Sequence, residues 1–381
     1  MGMNELSTAP EPRVAWLCSY TPVEIVAAMG LRPVRLPGGA GHEARARSIL
    51  PAALCPYLRA CLGAALDGAY GPLAGVIVAN GCDGLRRLAD VWARYGPGFV
   101  HLLDVPRRRD EAALAYLTSQ FTALAERLAL VARRALTEHA LRLAIAERNA
   151  TRRLLGELDA RRQGQALPVR ELLSLVDLSA EAPPAVCNLS SFSAPSNPAA
   201  PPLRSGLGWE PPLPGAESGL RLAEQLACPP AATPAAGTPV VLSGNVFTPD
   251  DRPLAGLIEA AGGWVVGDDL CSGVRGLAGE VTEEGDPMQA LARRYLERVP
   301  CPRMADAAAR WDDLADLCGR REARGVIHLS QEYCDASLYE LAPLHARLER
   351  AGVRLLHLEL DADAATPGQA RTRVEAFLEG L

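Results

Sequence analysis

The sequence predicts an α/β protein made of two domains with parallel β-sheets, joined by a segment of long helices. The chain has 381 residues, more than the roughly 100–200 residues of one ordinary domain. Short apolar runs alternate with longer stretches of helical spacing, which is typical of βαβ units. The order of these elements near the N-terminus is repeated near the C-terminus, which indicates two copies of one plan.

The first α/β domain is expected over residues 14–108, after a polar tail at residues 1–13. Its expected strands are Val14–Leu17, Pro33–Leu36, Gly75–Ala79 and Phe99–Leu103, and its expected helices are Pro22–Met29, Pro51–Leu66 and Leu85–Tyr95. Residues 109–181 are expected to form a helical segment, in which the apolar spacing from Asp110 to Arg162 predicts one or two long amphipathic helices.

A change in composition separates the two predicted domains. Residues 182–239 are rich in Pro, Ala, Gly and Ser, which indicates a surface excursion or a linker. The second α/β domain is expected over residues 240–381. Its expected strands are Val240–Ser243, Trp264–Gly267, Val326–Leu329 and Val353–Leu358, and its expected helices are Pro253–Ala261, Met288–Arg298, Ala305–Arg324, Leu338–Ala351 and Gly368–Leu378.

Composition and missing motifs exclude several function classes. Hydrophobic residues make up 49% and charged residues 22% of the chain, which is the balance of a soluble globular protein. The net charge of −6 and the lack of a basic face argue against nucleic-acid binding. No signal peptide and no apolar run of about 20 residues is present, so we expect a cytoplasmic protein outside the membrane. The chain also lacks a phosphate-binding loop, a dinucleotide fingerprint and a hydrolase nucleophile elbow.

Matched motifs occupy equivalent places in the two predicted domains. Thr21-Pro22 corresponds to Thr248-Pro249, and we interpret both pairs as helix N-caps. Cys55-Pro56 corresponds to Cys301-Pro302, and Cys82-Asp83 corresponds to Cys334-Asp335. Each Cys-Asp pair is expected just after a strand and just before a helix. The cysteine pairs need a further explanation.

The positions of the matched cysteines indicate a metal or cluster site. Ligands of open parallel sheets collect at the carboxyl ends of the strands, where Cys82 and Cys334 are expected. Cys55 and Cys301 are expected near helix starts, which favour a thiolate. Thiolates gathered in one place suit an iron–sulfur cluster or zinc, although the spacing does not fit a structural zinc finger. The residues alone leave metal and cluster open.

Other cysteines and one acidic motif have ordinary structural interpretations. A free cysteine is often a small buried hydrophobe, which is the interpretation that we prefer for four of the ten cysteines. These four are Cys61, Cys187, Cys228 and Cys318. The stretch from Asp268 to Gly273 is consistent both with a site at a strand end and with an acidic turn that caps the next element.

Several spaced motifs resemble the 2-hydroxyacyl-CoA dehydratase and benzoyl-CoA reductase subunit family. The matching motifs are Trp16–Glu24, Gly30–Leu36, Cys55–Arg59, Asn80–Gly84, Gly267–Cys271, Pro300–Pro302, Tyr333–Asp335 and Pro367–Phe377. They occur in the family's order and span nearly the whole chain, apart from the proline-rich segment and the long helices.

The resemblance implies a fold and a cofactor. The expected fold is two Rossmann- or flavodoxin-like domains plus a helical part. The expected cofactor is one [4Fe-4S] cluster held by three cysteines, with the fourth iron open. Cys55, Cys82 and Cys334 best match those ligands, while Cys301 is a reserve candidate and Cys18 a further one. Nothing in the sequence indicates FMN, which stays an open alternative.

The resemblance also implies catalytic candidates near the cluster and the substrate. These are Ser19 and Glu24 in the loop that also holds Tyr20. Glu24 is a candidate acid or base, although a carboxylate at a helix start is also a common dipole partner.

The implied reaction removes water from a 2-hydroxyacyl-CoA. One added electron turns the thioester carbonyl into a ketyl radical anion, which expels the neighbouring hydroxyl. The implied partners are a homologous subunit in a heterodimer and a separate ATP-dependent iron–sulfur activator. Two alternatives stay open: a benzoyl-CoA reductase-type subunit that reduces an aromatic acyl-CoA, and a double-cubane-type or electron-transfer cluster protein.

Overall fold

The computed structural model describes residues 11–39, 41–162, 172–173, 176, 237–360 and 367–381. These ranges contain two four-stranded parallel sheets with helices packed around them. The architecture confirms the predicted α/β class and is consistent with two Rossmann-like domains. Cys187, Cys228 and most of the proline-rich segment lie outside the described residues.

The first sheet has the strand order β2-β1-β3-β4. Its strands are β1 (Arg13–Trp16), β2 (Arg32–Arg35), β3 (Gly75–Ala79) and β4 (Phe99–Leu103). Val14 of β1 lies opposite Pro33 on one side and Gly75 on the other. Strand β3 is buried along its whole length, as expected of an apolar strand in a parallel sheet with both faces covered.

Within the part of the chain that the structure describes, four helices connect the strands of this sheet. They are α1 (Val23–Ala28), α2 (Glu43–Arg47), α3 (Pro56–Leu66) and α4 (Asp83–Tyr95). The expected helix Pro51–Leu66 begins later, at Pro56, because proline has no N–H to donate and its fixed φ suits the first helical position. Helix α2 was not predicted.

Two long helices follow the first sheet, as the apolar spacing predicted. They are α5 (Glu111–Ala132) and α6 (Glu138–Arg161). Each begins with a side-chain N-cap: Asp110 accepts a hydrogen bond from Ala113 N at 2.9 Å, and Thr137 accepts one from Ala140 N at 3.2 Å. Among the described residues, no helix has both the length and the apolarity needed to cross a membrane.

The second sheet repeats the order of the first, as β6-β5-β7-β8. Its strands are β5 (Thr238–Gly244), β6 (Gly263–Leu270), β7 (Gly325–Gln331) and β8 (Arg354–Leu360). The strands that precede the matched motifs Cys82-Asp83 and Cys334-Asp335 are β3 and β7, and each is the third strand in the order of its sheet. Strand β6 continues through Asp268 and Asp269, beyond its expected end at Gly267, because arginines neutralise the two carboxylates there.

Within the described residues, six helices and a short 3₁₀ turn at Pro249–Asp251 connect or follow the strands of the second sheet. The helices are α7 (Arg252–Ala260), α8 (Val274–Leu277), α9 (Pro287–Glu297), α10 (Ala308–Arg320), α11 (Asp335–Arg350) and α12 (Pro367–Glu379). Helix α10 is shorter than the expected helix Ala305–Arg324. Residues 302–307 form turns before it, and Glu322 adopts a left-handed conformation after it.

Helix α9 joins the two halves of the molecule. Its Leu291 and Tyr295 belong to the apolar core that also contains Ile25 of the first domain and Phe121 of α5. The rings of Phe121 and Tyr295 pack edge to face, with centroids 5.7 Å apart. The hydroxyl of Tyr20, which follows β1, accepts a hydrogen bond from Cys301 N at 3.4 Å. Segments that follow strands of the first sheet therefore contact the second domain directly.

Candidate functional site

The cysteines of the described residues fall into two groups. Cys61 in α3 and Cys318 in α10 are buried in apolar cores, which confirms their structural interpretation. The other six are half-buried. They are Cys18, Cys55, Cys82, Cys271, Cys301 and Cys334.

Helix starts hold Cys55 and Cys82. Cys55 immediately precedes α3, and the Cys82 Sγ accepts a hydrogen bond from Leu85 N at 3.4 Å in the first turn of α4. At Gly84 a Cβ atom would lie 2.9 Å from Leu58 Cδ1, which is closer than real side chains pack. Glycine at this position therefore lets the start of α4 pack against α3, next to Cys55.

The second domain supplies Cys334, in the turn between β7 and α11. Tyr333 before it adopts a left-handed backbone conformation with φ of 58°, and Cys334 N donates to Gln331 O at 3.1 Å. The side-chain amide of Asn245, which follows β5, donates to the Cys334 Sγ at 3.0 Å. The Cys-Asp placement after a strand and before a helix is thus confirmed for both Cys82 and Cys334.

An interdomain contact brings these turns together. Val246, next to Asn245 in the sequence, packs against the same first-domain apolar core as Cys55 and Cys82 do. Gln331 Nε2 donates to Val246 O at 3.4 Å, which connects the end of β7 to the same contact. The segment that carries Cys334 therefore faces the segment that carries Cys55 and Cys82.

Burial and neighbouring thiols both raise the pKa values of Cys55 and Cys334. The pKa of Cys55 is raised to about 12, mainly by burial and in part by the neighbouring Cys82 thiol. The pKa of Cys334 is likewise raised to about 12, mainly by burial and in part by Cys55, Cys82 and Cys301. Thiols of the first domain thus act on the pKa of a thiol of the second domain, as expected of ionisable groups that lie close together.

The two remaining candidate ligands, Cys301 and Cys18, lie close to the segment that follows β1. Cys301 was expected near a helix start but lies in a turn, and the next helix begins at Ala308. The backbone N–H of Cys301 instead donates a hydrogen bond to the Tyr20 hydroxyl, and this contact holds the turn in place. Burial raises the pKa of Cys18 to about 11, with upward contributions from Cys301 and Cys271.

An arginine that was not predicted lies among the cysteines. Arg303 Nη2 donates to Val105 O at 3.3 Å, whereas its Nε and Nη1 atoms are buried without a hydrogen-bond partner. The guanidinium lowers the pKa of both Cys18 and Cys82, against the larger effect of burial. The region around Cys18 and Cys82 therefore contains the Arg303 guanidinium cation, two of whose nitrogen atoms donate no hydrogen bond.

The cysteine geometry is not that of a site for a single metal ion. Within the ranges that the structure describes, no three His, Cys, Asp or Glu side chains converge closely enough to hold one metal ion. A cubane cluster is larger than a single ion and spreads its thiolate ligands farther apart.

Asp268 and Asp269 act as structural anchors. Asp268 Oδ1 accepts a hydrogen bond from Val274 N at 3.0 Å, at the start of α8, and Asp268 Oδ2 lies 2.8 Å from Arg162 Nη1. The Asp269 Oδ2 atom lies 2.6 Å from Arg310 Nη2, and its Oδ1 atom lies 3.2 Å from Arg275 Nη1. The two aspartates therefore lie at the end of strand β6 rather than in a turn, whereas Cys271 and Gly273 of the same stretch line a cavity near Ser19.

The two catalytic candidates contact residues of the second domain. Ser19 Oγ accepts a hydrogen bond from Arg298 Nη2 at 3.0 Å. Glu24 is buried; Arg152 donates to its Oε1 atom, and the Tyr295 hydroxyl donates to its Oε2 atom at 2.8 Å. Burial alone would raise the Glu24 pKa, but the Arg152, Arg294 and Arg148 guanidinium groups hold it below its usual range.

A small interdomain cavity of about 30 Å³ lies beside Ser19. Its polar lining comes from Trp16, Ser19, Thr21, Arg35, Arg148, Arg152, Cys271 and Tyr295. The N-cap interpretation of Thr21 is wrong: α1 has no side-chain cap, and the buried Thr21 hydroxyl has no hydrogen-bond partner. In the matched pair, the Thr248 N–H and hydroxyl both donate to Asp251 at the start of the following helical turn, at 2.7 and 2.8 Å.

The site thus contains residues that the sequence did not single out. Asn245, Arg303 and Arg152 reach it from positions distant in the sequence. Asn245 follows β5 at the place where Cys18 follows β1, so the internal repeat could have identified it. Sequence patterns offer no equivalent signal for the two arginines.

Comparison with known proteins places this chain in a family. The model of the family described as "2-hydroxyglutaryl-CoA dehydratase, D-component" matches residues 18–188 and 216–381. The matched ranges contain all six half-buried cysteines and make up most of the chain.

Three curated relatives match over nearly their full lengths. The beta subunit of (R)-phenyllactyl-CoA dehydratase of Clostridium sporogenes is 23% identical, with 100% of this chain and 94% of the relative covered. A subunit of benzoyl-CoA reductase of Thauera aromatica is 25% identical, with 97% and 90% covered. The beta subunit of lactoyl-CoA dehydratase of Anaerotignum propionicum is 25% identical, with 95% and 90% covered.

Proposed function

Since the chain belongs to the 2-hydroxyglutaryl-CoA dehydratase, D-component family, we propose that it is the [4Fe-4S]-cluster subunit of a 2-hydroxyacyl-CoA dehydratase. The observation that carries the proposal is the approach of thiols from both domains: Val246 of the second domain packs against the same apolar core as Cys55 and Cys82, and these two thiols raise the pKa of Cys334. Two relatives named as dehydratase subunits support the reaction type.

The proposed cluster ligands are Cys55, Cys82 and Cys334, with Cys301 in reserve. A buried thiolate is costly without a compensating charge, and bound iron supplies that charge. N–H groups already point at two of the sulfurs, from Leu85 and Asn245, as is common around iron–sulfur clusters. The unused donors and positive charge of Arg303 suit an anionic cluster. The donor set therefore fits the group.

When bound, such a cluster would supply the single electron that the thioester carbonyl needs before the neighbouring hydroxyl can leave. Ser19 and Glu24 have different roles in the proposed reaction. Ser19, held by Arg298, contacts a substrate oxygen at the cavity. Glu24 is the candidate proton acceptor, and because Arg152 and Tyr295 occupy its oxygens, the proton reaches it through the Tyr295 hydroxyl.

The proposed partners are a homologous subunit and an ATP-dependent iron–sulfur activator. Each of the three relatives is named as one subunit of an enzyme, which supports a complex of several different chains. The lack of a phosphate-binding loop in the sequence is consistent with ATP hydrolysis on a separate protein.

A second candidate function is the reduction of an aromatic acyl-CoA. The observation in its favour is the match to a benzoyl-CoA reductase subunit, whose identity of 25% equals that of the lactoyl-CoA dehydratase subunit. The same cysteine site would serve both reactions, because both need an electron delivered to an acyl thioester.

One experiment tests the proposed function and separates the two candidates. The complex that contains this chain is purified without oxygen through a tag and mixed with activator, reductant and ATP. We expect 2-hydroxyacyl-CoA thioesters to yield the corresponding enoyl-CoA by mass spectrometry, with benzoyl-CoA unchanged. A reduced cyclic product from benzoyl-CoA and no enoyl-CoA would favour the reductase. No reaction with either thioester would contradict both candidates.

A further inference from the structure

The side chain of Arg303 crosses from the second domain to the ends of three strands of the first sheet. Its Nη2 atom donates to Val105 O, after β4, at 3.3 Å. Its guanidinium lies 5.6 Å from the centre of the Tyr20 ring, after β1. A Cβ atom on Gly81, after β3, would lie 3.8 Å from its Nε atom. The cation therefore lies at the carboxyl edge of the first sheet, where parallel sheets bind their ligands.

This position is also next to the half-buried cysteines. Gly81 directly precedes Cys82, and Cys301 stands two residues before Arg303. Burial raises the pKa of Cys82 and of Cys18, and the Arg303 guanidinium lowers the pKa of both. The geometry and the electrostatics agree that the charge of Arg303 acts on negative charge at this group of cysteines.

The Arg303 guanidinium has charge and donors that no described residue uses. Its Nε and Nη1 atoms are buried without a hydrogen-bond partner. Within the described part of the chain Arg303 forms no ion pair, whereas the charge of Arg275 faces the Asp269 carboxylate at 3.2 Å. A buried cation and buried donors are costly unless an anion compensates them. The nearest place for such an anion is the group of cysteines itself.

The matched Cys-Pro pairs of the two domains differ in the residue that follows them. In the first domain Cys55-Pro56 is followed by Tyr57, which lies in α3 and donates from its hydroxyl to Leu36 O at 2.8 Å. In the second domain Cys301-Pro302 is followed by Arg303, in a turn outside any helix. At matched places, the first domain therefore supplies a thiol at a helix start, and the second supplies a cation.

We propose that Arg303 makes the cluster easier to reduce, because it places a positive charge and two hydrogen-bond donors close to it. The inference rests on the proposed function, since it assumes a cluster held by Cys55, Cys82 and Cys334. Reduction moves one electron from the iron–sulfur activator to the cluster and adds one negative charge there. A nearby cation in a region with little solvent stabilises that charge, and N–H groups directed at cluster sulfurs act in the same direction.

A redox titration followed by EPR tests this inference on the full chain, purified without oxygen. Arg303→Met removes the charge and the donors, whereas Arg303→Lys keeps the charge. We expect the equilibrium constant for one-electron reduction to fall at least about 10-fold in Arg303→Met, a shift of about 59 mV to more negative potential. Arg303→Lys should restore most of this shift. Because the cation is shielded from solvent, the shift in Arg303→Met should persist at high ionic strength.

Arg86→Met is the matched control. Arg86 is exposed on α4, four residues after Cys82, so that its charge is screened by solvent and salt. Its removal should change the potential little at low ionic strength and not measurably at high ionic strength. A shift as large as that of Arg303→Met would show that any cation of this region has the same effect, and would overturn the inference.

Iron and sulfide content, measured on each sample, separates the possible failures. A normal cluster with the wild-type potential in Arg303→Met would overturn the inference and leave the proposed function intact. An equally negative potential in Arg303→Lys would exclude the charge as the cause and would overturn it too. If Arg303→Met does not hold the cluster, Arg303→Gln takes its place in the titration. Loss of the cluster from both uncharged variants would show a structural role instead of the proposed one. Absence of a cluster from the wild-type chain would overturn both proposals.

Discussion

The side-chain amide of Asn245 lies 3.0 Å from the sulfur of Cys334. Asn245 follows β5 and Cys334 follows β7, two adjacent strands of the second sheet. The amide therefore reaches the sulfur across the carboxyl edge of the sheet, where parallel sheets bind their ligands. This donor is one that no cysteine spacing reveals.

Asn245→Ala should make the bound cluster harder to reduce. An N–H group that donates to a cluster sulfur stabilises the more negative, reduced form. Its removal should shift the midpoint potential to more negative values in a redox titration followed by EPR. Gln289→Ala, which removes an exposed amide on α9, should leave the potential unchanged. An unchanged potential in Asn245→Ala would show that this amide does not act on the cluster.

The thiols of the iron-free protein should titrate at high pH. Burial raises the pKa of Cys55 and Cys334 from the ordinary value of 9.0 to about 12. Both groups therefore bind protons more tightly in the folded than in the unfolded chain. Their contribution to stability is fully present below about pH 9 and is lost as the pH rises towards about 12.

Alkylation by iodoacetamide measures this shift directly, because the thiolate is the reactive form. At about pH 8 both cysteines should react slowly in the folded iron-free chain and rapidly in the same chain after denaturation. Mass spectrometry of the peptides assigns each rate to its residue. Fast alkylation of both cysteines in the folded chain would contradict the described burial.

Glu24→Gln should destabilise the protein. The Glu24 carboxylate is buried against Arg152, and removing one partner of a buried ion pair leaves a charge without compensation. We expect a loss of about 3 kcal/mol in the free energy of unfolding, measured by denaturant titration at neutral pH. Glu138→Gln, which affects an exposed pair with Arg142, should change stability by less than about 0.5 kcal/mol.

The pH dependence of this effect follows from the depressed Glu24 pKa. A carboxyl whose folded pKa lies below its usual range stabilises the fold above that range, and the contribution is lost as the pH falls through the folded value. The difference between wild type and Glu24→Gln should therefore shrink below about pH 4. A difference that is constant from neutral to acidic pH would contradict the ion pair.

Gly84→Ala should loosen the contact that holds Cys55 near Cys82. The new Cβ would lie 2.9 Å from Leu58 Cδ1 and 3.4 Å from Leu54 Cδ1, so side chains of the cysteine segment must move. We expect a destabilisation of about 1–3 kcal/mol and a lower iron content. Gly256→Ala in α7, where a Cβ meets nothing within 4 Å, should be neutral or stabilising. Full iron content and stability in Gly84→Ala would contradict the role of this packing.

Much of the fold could be predicted because its signals are local. The buried runs of β3 and β7 are apolar along their length, and the repeated order of elements predicted two sheets with the same plan. The end of β6 was predicted too early, at Gly267, because two consecutive aspartates do not look like part of a buried strand. Only the folded structure brings Arg162 and Arg310 to Asp268 and Asp269.

The site could be predicted only in part. Cys82 and Cys334 were identifiable because a strand end and a helix start fix their place locally. The arginines and Trp16 at the cavity reach it through long-range packing, for which the sequence has no periodic signal. Thr21 resembled an N-cap because its local sequence is that of one, but the chain turns its hydroxyl into the cavity region instead.

Iron and acid-labile sulfide analysis of cysteine variants tests the central claim most directly. The wild-type chain, purified without oxygen, should contain about four irons and four sulfides, as one cubane cluster requires. Cys55→Ala, Cys82→Ala and Cys334→Ala should each lose the cluster, whereas Cys61→Ala, in the core of α3, should keep it. Retention of all four irons in Cys334→Ala, or about eight irons in the wild-type chain, would contradict one cluster held between the two domains.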